Sequence, residues 1–177
     1  MKKFLLLLTG LTPVLLTVAQ YKVVNSKSSI GFKVKNLGIN VSGTFGGMEG
    51  TISFDPKHPE EAMFRVSVNA NSINTGIDMR DSHLKKESYF NSETYPRISF
   101  ESTKVLNSTK KAEWLIYGKL TMKNHSKEIS FPFTAEPSSD GFLFRGLFSI
   151  NRKDFDIGGT SVISNNVDIS LNVIAGK

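Results

Sequence analysis

The sequence predicts an all-β fold of about eight antiparallel strands. Apolar and polar residues alternate from Tyr21 onward, and short clusters of Gly, Pro, Asn and Asp separate the alternating runs. The alternation gives each strand one apolar face, and short connections favour antiparallel pairing. Helical periodicity is confined to Asp78–Tyr89, where Asp78 is expected to cap the first turn.

Each strand can be identified by its apolar positions. In chain order these are Ile30, Phe32 and Val34; Ile52 and Phe54; Phe64, Val66 and Val68; Ile98 and Phe100; Trp114, Ile116 and Leu120; Ile129, Phe131 and Phe133; Phe142, Phe144, Phe148 and Ile150; and Val167, Ile169 and Leu171. Among the intervening polar clusters, Lys123-Asn124 and Ser164-Asn165-Asn166 predict turns.

Strands with one apolar face can form either a sandwich or a closed barrel. In a sandwich, the twelve Phe, four Tyr and one Trp of residues 20–177 would interdigitate as a dry core, whereas in a barrel they could line a cavity. Barrel closure also removes exposed strand edges. The alternation alone does not choose between these two folds. An outer-membrane barrel is disfavoured, because several predicted strands are shorter than the ~9–11 residues that cross a bilayer.

The first 19 residues have the order of a secretory signal peptide. Lys2 and Lys3 precede the apolar run Phe4–Leu8, and small residues follow at Thr17-Val18-Ala19. We expect cleavage after Ala19, which would leave one domain over residues 20–177. The expected location is therefore periplasmic or secreted. Because the sequence has no cysteine, burial and hydrogen bonding must hold this domain together.

Charge and residue spacing argue against several functions. The net charge is +6, but Lys and Arg are spread along the chain, so no nucleic-acid partner is predicted. A transient contact with anionic membrane surfaces is compatible with this charge. His58, His83 and His125 lack metal-ligand spacing and no nucleophile motif is present, so neither a metal, a cofactor nor catalysis is predicted.

The segment from Asn71 to Phe100 carries the most specific pattern. It contains, in order, Thr75-Gly76, Arg80-Asp81-Ser82-His83-Leu84, Tyr89-Phe90, Tyr95-Pro96 and Ile98-Ser99-Phe100. Further fragments are Ser28–Phe32, Gly43–Phe45, Gly118–Thr121 and Asn151–Phe155. In order and spacing, this set resembles the YceI-like family of secreted lipid-binding β-barrels. One departure is Asp156, which stands where that family usually has glycine.

The resemblance implies an extended eight-stranded antiparallel, lipocalin-like barrel with a short helical insertion. It also implies that the interior binds, sequesters or transports a polyisoprenoid or similar long-chain amphiphile. The apolar residues expected to line this interior are Phe32, Phe64, Val66, Phe100, Trp114, Ile116, Phe131, Phe133, Phe148 and Ile169. The oligomeric state is not predicted, and a dimer is compatible with the sequence.

Arg80, Asp81 and His83 are the polar candidates in the signature segment. They could contact a ligand head group at the mouth of the barrel, or they could form a hydrogen-bond network that pins the helix to the barrel. Two alternative functions stay open at this point. The chain could be a non-catalytic envelope-interaction or stress-response module with a solid core, or an enzyme using Asp81 and His83 as an acid–base pair.

Overall fold

The computed structural model describes residues 19–160 and 162–177. Residues 1–18 of the expected signal peptide lie outside this part, so cleavage stays a prediction. In the part of the chain that the structure describes, one α-helix, α1 (Asp78–Leu84), lies between the fifth and sixth of ten strands. The strands are β1 (Gln20–Val23), β2 (Ser29–Asn36), β3 (Ile39–Phe45), β4 (Glu49–Ser53), β5 (Met63–Asn69), β6 (Arg97–Asn107), β7 (Glu113–Met122), β8 (His125–Pro137), β9 (Gly141–Asn151) and β10 (Ile163–Gly176). Within the described ranges, no helix is long and apolar enough to span a bilayer.

The ten strands occupy eight positions around a closed barrel. β1 and β2 share one position, because both pair with β10, through Lys22 opposite Gly176 and Ile30 opposite Leu171. β3 and β4 share the next position, where β3 pairs with β2 and β4 with β1. The ring then runs in order from β5 to β10, with every neighbouring pair antiparallel. The prediction of an eight-stranded antiparallel barrel with a short helical insertion is confirmed.

Local hydrogen bonds bridge the two interrupted positions. Between β1 and β2, the Ser28 hydroxyl donates to the Val24 carbonyl at 2.8 Å and accepts from the Ile174 N–H at 3.0 Å. Beside β3, Thr44 and Asn74 exchange two backbone hydrogen bonds of 2.9 and 3.0 Å. The segment before α1 therefore covers a stretch of barrel wall that β5 does not reach.

Some sequence-based details were wrong. α1 ends at Leu84, and Ile77 rather than Asp78 occupies the N-cap, with no side-chain capping bond. Residues 164–166 form no turn but lie inside β10, where the pairing register shifts between Ile163 and Val167. That irregularity accommodates a polar cluster within a strand. The predicted turn at Lys123-Asn124 is confirmed, with positive φ at both residues.

The apolar faces of the strands point into the barrel, and an aromatic cluster fills one end of the interior. We call this cluster the closed end; it comprises Tyr21, Phe54, Phe64, Trp114, Phe133, Phe142 and Phe144. Phe54 follows the last residue of β4 and is only 1% exposed. Its ring centroid lies 5.1 Å from that of Trp114 and 5.5 Å from that of Phe144, both edge-to-face. Such pairs add ~0.5–1.5 kcal/mol each beyond area burial.

Candidate ligand-binding cavity

The other half of the barrel contains a cavity of about 220 Å³ that is partly open to solvent. On this measure a single water needs only ~10–15 Å³, so the space can hold a much larger molecule. Its wall is formed almost entirely by inward-facing apolar side chains from β2 to β10 and from the segment that follows α1.

Several inward-facing side chains are only half-buried although they lie inside the barrel. Phe32, Val66, Phe100, Phe148 and Ile169 all belong to this group and all line the cavity. A core side chain packed on every side would be fully buried, as Phe54 is. The half-burial of these residues therefore marks a region where side chains do not meet across the barrel axis.

The structure brings the sequence-predicted lining residues together with one exception. The cavity wall includes Phe32, Phe64, Val66, Phe100, Ile116, Phe131, Phe133, Phe148 and Ile169. Trp114 lies instead in the closed end, where its ring packs edge-to-face on Phe54 and at 5.8 Å from Phe133. Trp114 shares the inward parity of Ile116 but sits one step nearer the filled end of β7.

Two glycines make room for aromatic rings in the wall. A Cβ atom on Gly43 would lie 2.4 Å from Cζ of Phe32, and one on Gly118 would lie 2.5 Å from Cζ of Phe100. In each case the tip of the ring lies against a glycine of the neighbouring strand. Any larger residue at either glycine would push the ring toward the cavity, which gives a physical reason for glycine at these positions.

The segment after α1 contributes a part of the wall that strand periodicity could not predict. Tyr89 and Phe90 of this segment line the cavity, as does Leu84 at the end of α1, and the ring of Phe90 packs edge-to-face on that of Phe45 at 5.3 Å. Buried Ser92 anchors this segment by donating to Oδ1 of Asn71 at 2.6 Å. The adjacent aromatic pair Tyr89-Phe90 in the signature segment was the sequence feature that could have indicated this part of the wall.

The polar candidates Arg80 and Asp81 converge on Thr75. Oδ1 of Asp81 accepts from the Thr75 N–H at 2.9 Å and from its hydroxyl at 2.5 Å. Nε of Arg80 donates to the Thr75 hydroxyl at 2.7 Å, and its Nη2 donates to the Thr75 carbonyl at 2.8 Å. These bonds fix α1 to the loop that bridges to β3, and neither residue lines the cavity.

His83 is not a member of this network. Its ring is exposed and contacts that of Tyr89 edge-to-face, with the centroids 5.0 Å apart. Among the described residues, no hydrogen bond joins His83 to Asp81, whose Oδ1 accepts from Thr75 instead. Through its contact with Tyr89, a lining residue, His83 lies beside the cavity wall.

Arg152 is a charged wall residue that the sequence-based list did not contain. It is only 4% exposed, and its guanidinium donates to the carbonyl oxygens of Ile157, Ile163 and Ser164 at 2.5, 2.9 and 3.1 Å. These bonds tie the loop between β9 and β10 against the open end of the cavity. The only sequence feature that could have indicated a role for Arg152 was its place in the Asn151–Phe155 fragment of the family pattern.

Asp156, the departure from the family pattern, has left-handed backbone with φ of 52°. Glycine adopts this conformation without strain, which explains its usual presence there. Here the backbone carbonyl of Asp156 accepts from Nζ of Lys123 at 2.9 Å, and Lys123 also donates to the Glu87 carbonyl at 3.1 Å. Lys123 thus connects three segments around the open end.

Within residues 19–160 and 162–177, no group of three or more metal-ligating side chains comes together. The site is an apolar cavity whose described lining includes two charged side chains, Arg145 and Arg152. A closed antiparallel barrel around such a cavity defines a lipocalin-like protein.

The chain belongs to the YceI-like domain family, whose profile matches residues 21–175. Among curated relatives, it is 31% identical over 150 residues to Protein YceI of Salmonella arizonae, covering 78% of this chain and 76% of that protein. It is 33% identical over 114 residues to UPF0312 protein plu2095 of Photorhabdus laumondii, covering 63% of this chain and 58% of that protein.

Solved structures show the same barrel. BcnA of Burkholderia cenocepacia superposes with a TM-score of 0.81 at 22% identity, over 88% of this chain and 99% of that one. A polyisoprenoid binding domain from Saccharophagus degradans, implicated in plant cell wall breakdown, gives a TM-score of 0.71 at 16% identity, over 88% and 97%. At these identities the likeness establishes the fold.

Proposed function

We propose that this protein binds a long-chain amphiphilic lipid, of the polyisoprenoid class, with its hydrocarbon chain inside the barrel. The observation that carries the proposal is the unfilled apolar half of the interior, lined by half-buried rings such as Phe100 and Phe148. The binding domain from Saccharophagus degradans, with the same fold, is named for such a ligand. A module with a solid core would not account for this cavity.

Hydrocarbon burial is sufficient to drive such binding. Each buried CH₂ contributes ~0.8 kcal/mol, so a five-carbon isoprene unit contributes about 3–4 kcal/mol. Association costs ~4–15 kcal/mol, which several units would exceed. The wall would therefore supply affinity, while polar groups at the open end would set the orientation of the head group.

We propose a carrier or sequestering role without chemical conversion of the lipid. Asp81 is engaged by Thr75, and His83 is exposed beside Tyr89 rather than aimed into the cavity. The enzyme hypothesis predicts that His83→Ala abolishes a pH-dependent conversion of bound lipid. Under the carrier proposal, the same substitution leaves the bound lipid chemically unchanged and still bound, which mass spectrometry of extracted lipid checks.

We also propose that the protein acts outside the cytoplasm after removal of residues 1–19. The intact mass of the protein purified from a bacterial envelope fraction tests this. A mass corresponding to residues 20–177 supports export, and a mass that retains the first 19 residues in a cytoplasmic fraction contradicts it.

The lipid proposal can be tested by solvent extraction of natively expressed protein followed by mass spectrometry. Ile169→Trp places an indole in the cavity and should abolish co-purification of a polyisoprenoid-type lipid. Leu147→Trp puts the same side chain on the exposed outer face of β9 and should leave the lipid in place. Absence of lipid from the unmodified protein, or equal lipid in both variants, would overturn the proposal.

A further inference from the structure

Large apolar side chains are exposed around the open end of the cavity. Leu37 (77% exposed) and Ile39 (71%) lie at the turn between β2 and β3, Ile77 and Met79 (84%) begin α1, and Val162 precedes β10. We call these five residues the mouth rim. Exposed apolar side chains that cluster in one region generally mark a contact surface.

The pairing register places the mouth rim at the end opposite the aromatic cluster. Ile30 of β2 is opposite Leu171, which is level with Gly146 and Phe133 near the closed end. β2 runs from there to Asn36, which is opposite Ile163. Val34 and Ile163 line the cavity, so the β2–β3 turn and neighbouring Val162 stand at its open end.

α1 approaches the same end from the other side of β3. The Thr44–Asn74 bridge is antiparallel, so the chain leaves Asn74 in the direction of the β2–β3 turn. Ile77 and Met79 follow within this stretch, and Leu84 at the other end of α1 lines the cavity. Three separate segments thus present apolar side chains around one opening.

We propose that the mouth rim inserts into the surface of a lipid bilayer, so that a lipid passes between bilayer and cavity without crossing water. This inference rests on the proposed function. Gly38 stands between Leu37 and Ile39, Asp78 stands between Ile77 and Met79, and the rim residues belong to three separate segments. They therefore do not form the continuous surface that a stable protein interface requires. A bilayer needs no matching shape, since each projecting side chain can enter the acyl boundary separately.

Charge on the neighbouring strand is compatible with this occupant. Lys33 and Lys35 are exposed on the outer face of β2 beside the turn. Lysines close to an apolar insertion site attract anionic head groups and extend their stems along the interface. Insertion should nevertheless persist at high salt, because the rim side chains contribute through apolar burial, which salt does not screen.

Flotation with vesicles of phosphatidylethanolamine and phosphatidylglycerol tests the proposal. The double variant Leu37→Ser/Ile39→Ser should reduce vesicle association by about a hundredfold, since each buried apolar side chain is worth roughly a tenfold change in partition. Ile77→Ser/Met79→Ser should act similarly. The matched control is Leu147→Ser, because Leu147 is 74% exposed on β9, away from the mouth, and its variant should float like the unmodified protein.

A second measurement separates this inference from the proposed function. Binding of a detergent-dispersed prenol, followed by tryptophan or ligand fluorescence, should be unchanged in the rim variants and lost in Ile169→Trp. If the unmodified protein binds prenol but does not associate with vesicles, the proposal that the mouth rim inserts into a bilayer is wrong and the proposed lipid site is retained. If it associates with vesicles but does not bind prenol, the proposed lipid site is wrong and membrane insertion of the mouth rim is retained.

Two further outcomes would contradict a bilayer occupant. Association that disappears at high salt and is unaffected by the serine substitutions would assign membrane contact to the lysines instead. Concentration-dependent dimers in analytical ultracentrifugation that dissociate on Leu37→Ser/Ile39→Ser would show that a second copy of the chain covers the rim.

Discussion

The two halves of the barrel are built from the same alternating strands but are filled differently. At the closed end, Phe54 reaches the axis from beyond the last residue of β4 and contacts the rings of five other aromatic residues. In the hollow half, the wall side chains Phe100 and Phe148 are half-buried and face open space. Alternation places apolar side chains inside both halves, but only at the closed end does an additional ring, that of Phe54 one residue beyond β4, fill the space between them.

The strongest test of this contrast is Phe54→Ala. It removes the ring that fills the axis, and a buried Phe→Ala change costs ~3–5 kcal/mol. We expect the free energy of unfolding, measured by urea titration, to fall by at least this amount. A loss below ~1 kcal/mol would show that Phe54 does not hold the closed end together.

Phe100→Ala provides the counterpart in the hollow half. Its ring already lacks partners on the cavity side, so fewer dispersion contacts are lost. We expect a smaller loss of about 1–2 kcal/mol in the same titration, below the usual core penalty. Prenol affinity should fall together with it. An equally large loss at Phe54 and Phe100 would mean that the two halves are packed alike.

Thr75→Val tests how the wall segment around α1 is held. The change removes the hydroxyl that donates to Asp81 and accepts from Arg80, and a typical buried hydrogen bond contributes ~0.5–1.5 kcal/mol. We expect a loss of about 1 kcal/mol and faster amide hydrogen exchange in residues 78–84. Prenol affinity should change little. Weakened prenol binding at unchanged stability would instead support a head-group role for Arg80 and Asp81.

The smallest effect on stability is expected from Ile169→Trp, although it should abolish lipid binding. The added ring atoms occupy space that is empty, so overpacking strain is small and new contacts offset it. We expect the free energy of unfolding to change by less than ~1 kcal/mol. A large destabilisation would indicate that the hollow half has no room for an indole.

Alternation along the strands explains which residues of the cavity wall could be predicted from the sequence. Inward alternation was enough to select Phe32, Phe131 and Ile169, because period two fixes which face a strand residue occupies. It could not distinguish Trp114 from Ile116, since their axial level relative to Phe54 depends on the register of all strands.

Contributions from outside the ladder were the least predictable. Phe90 and Arg152 reach the cavity from irregular segments, where no period applies. The polar residues 164–166 are of the types that favour turns, so the sequence predicted a turn there. They lie in a strand instead, because the register shift between Ile163 and Val167 tolerates residues that a regular strand disfavours.

The meeting of β1 with the last residues of β10 has a practical consequence. Lys22 lies opposite Gly176, and Tyr21 belongs to the closed end, so Gln20 and Lys177 are near one another and remote from the opening. A linker attached to either residue would hold the molecule by its base. Immobilised in this way on a sensor chip, every copy would present its opening to the solution.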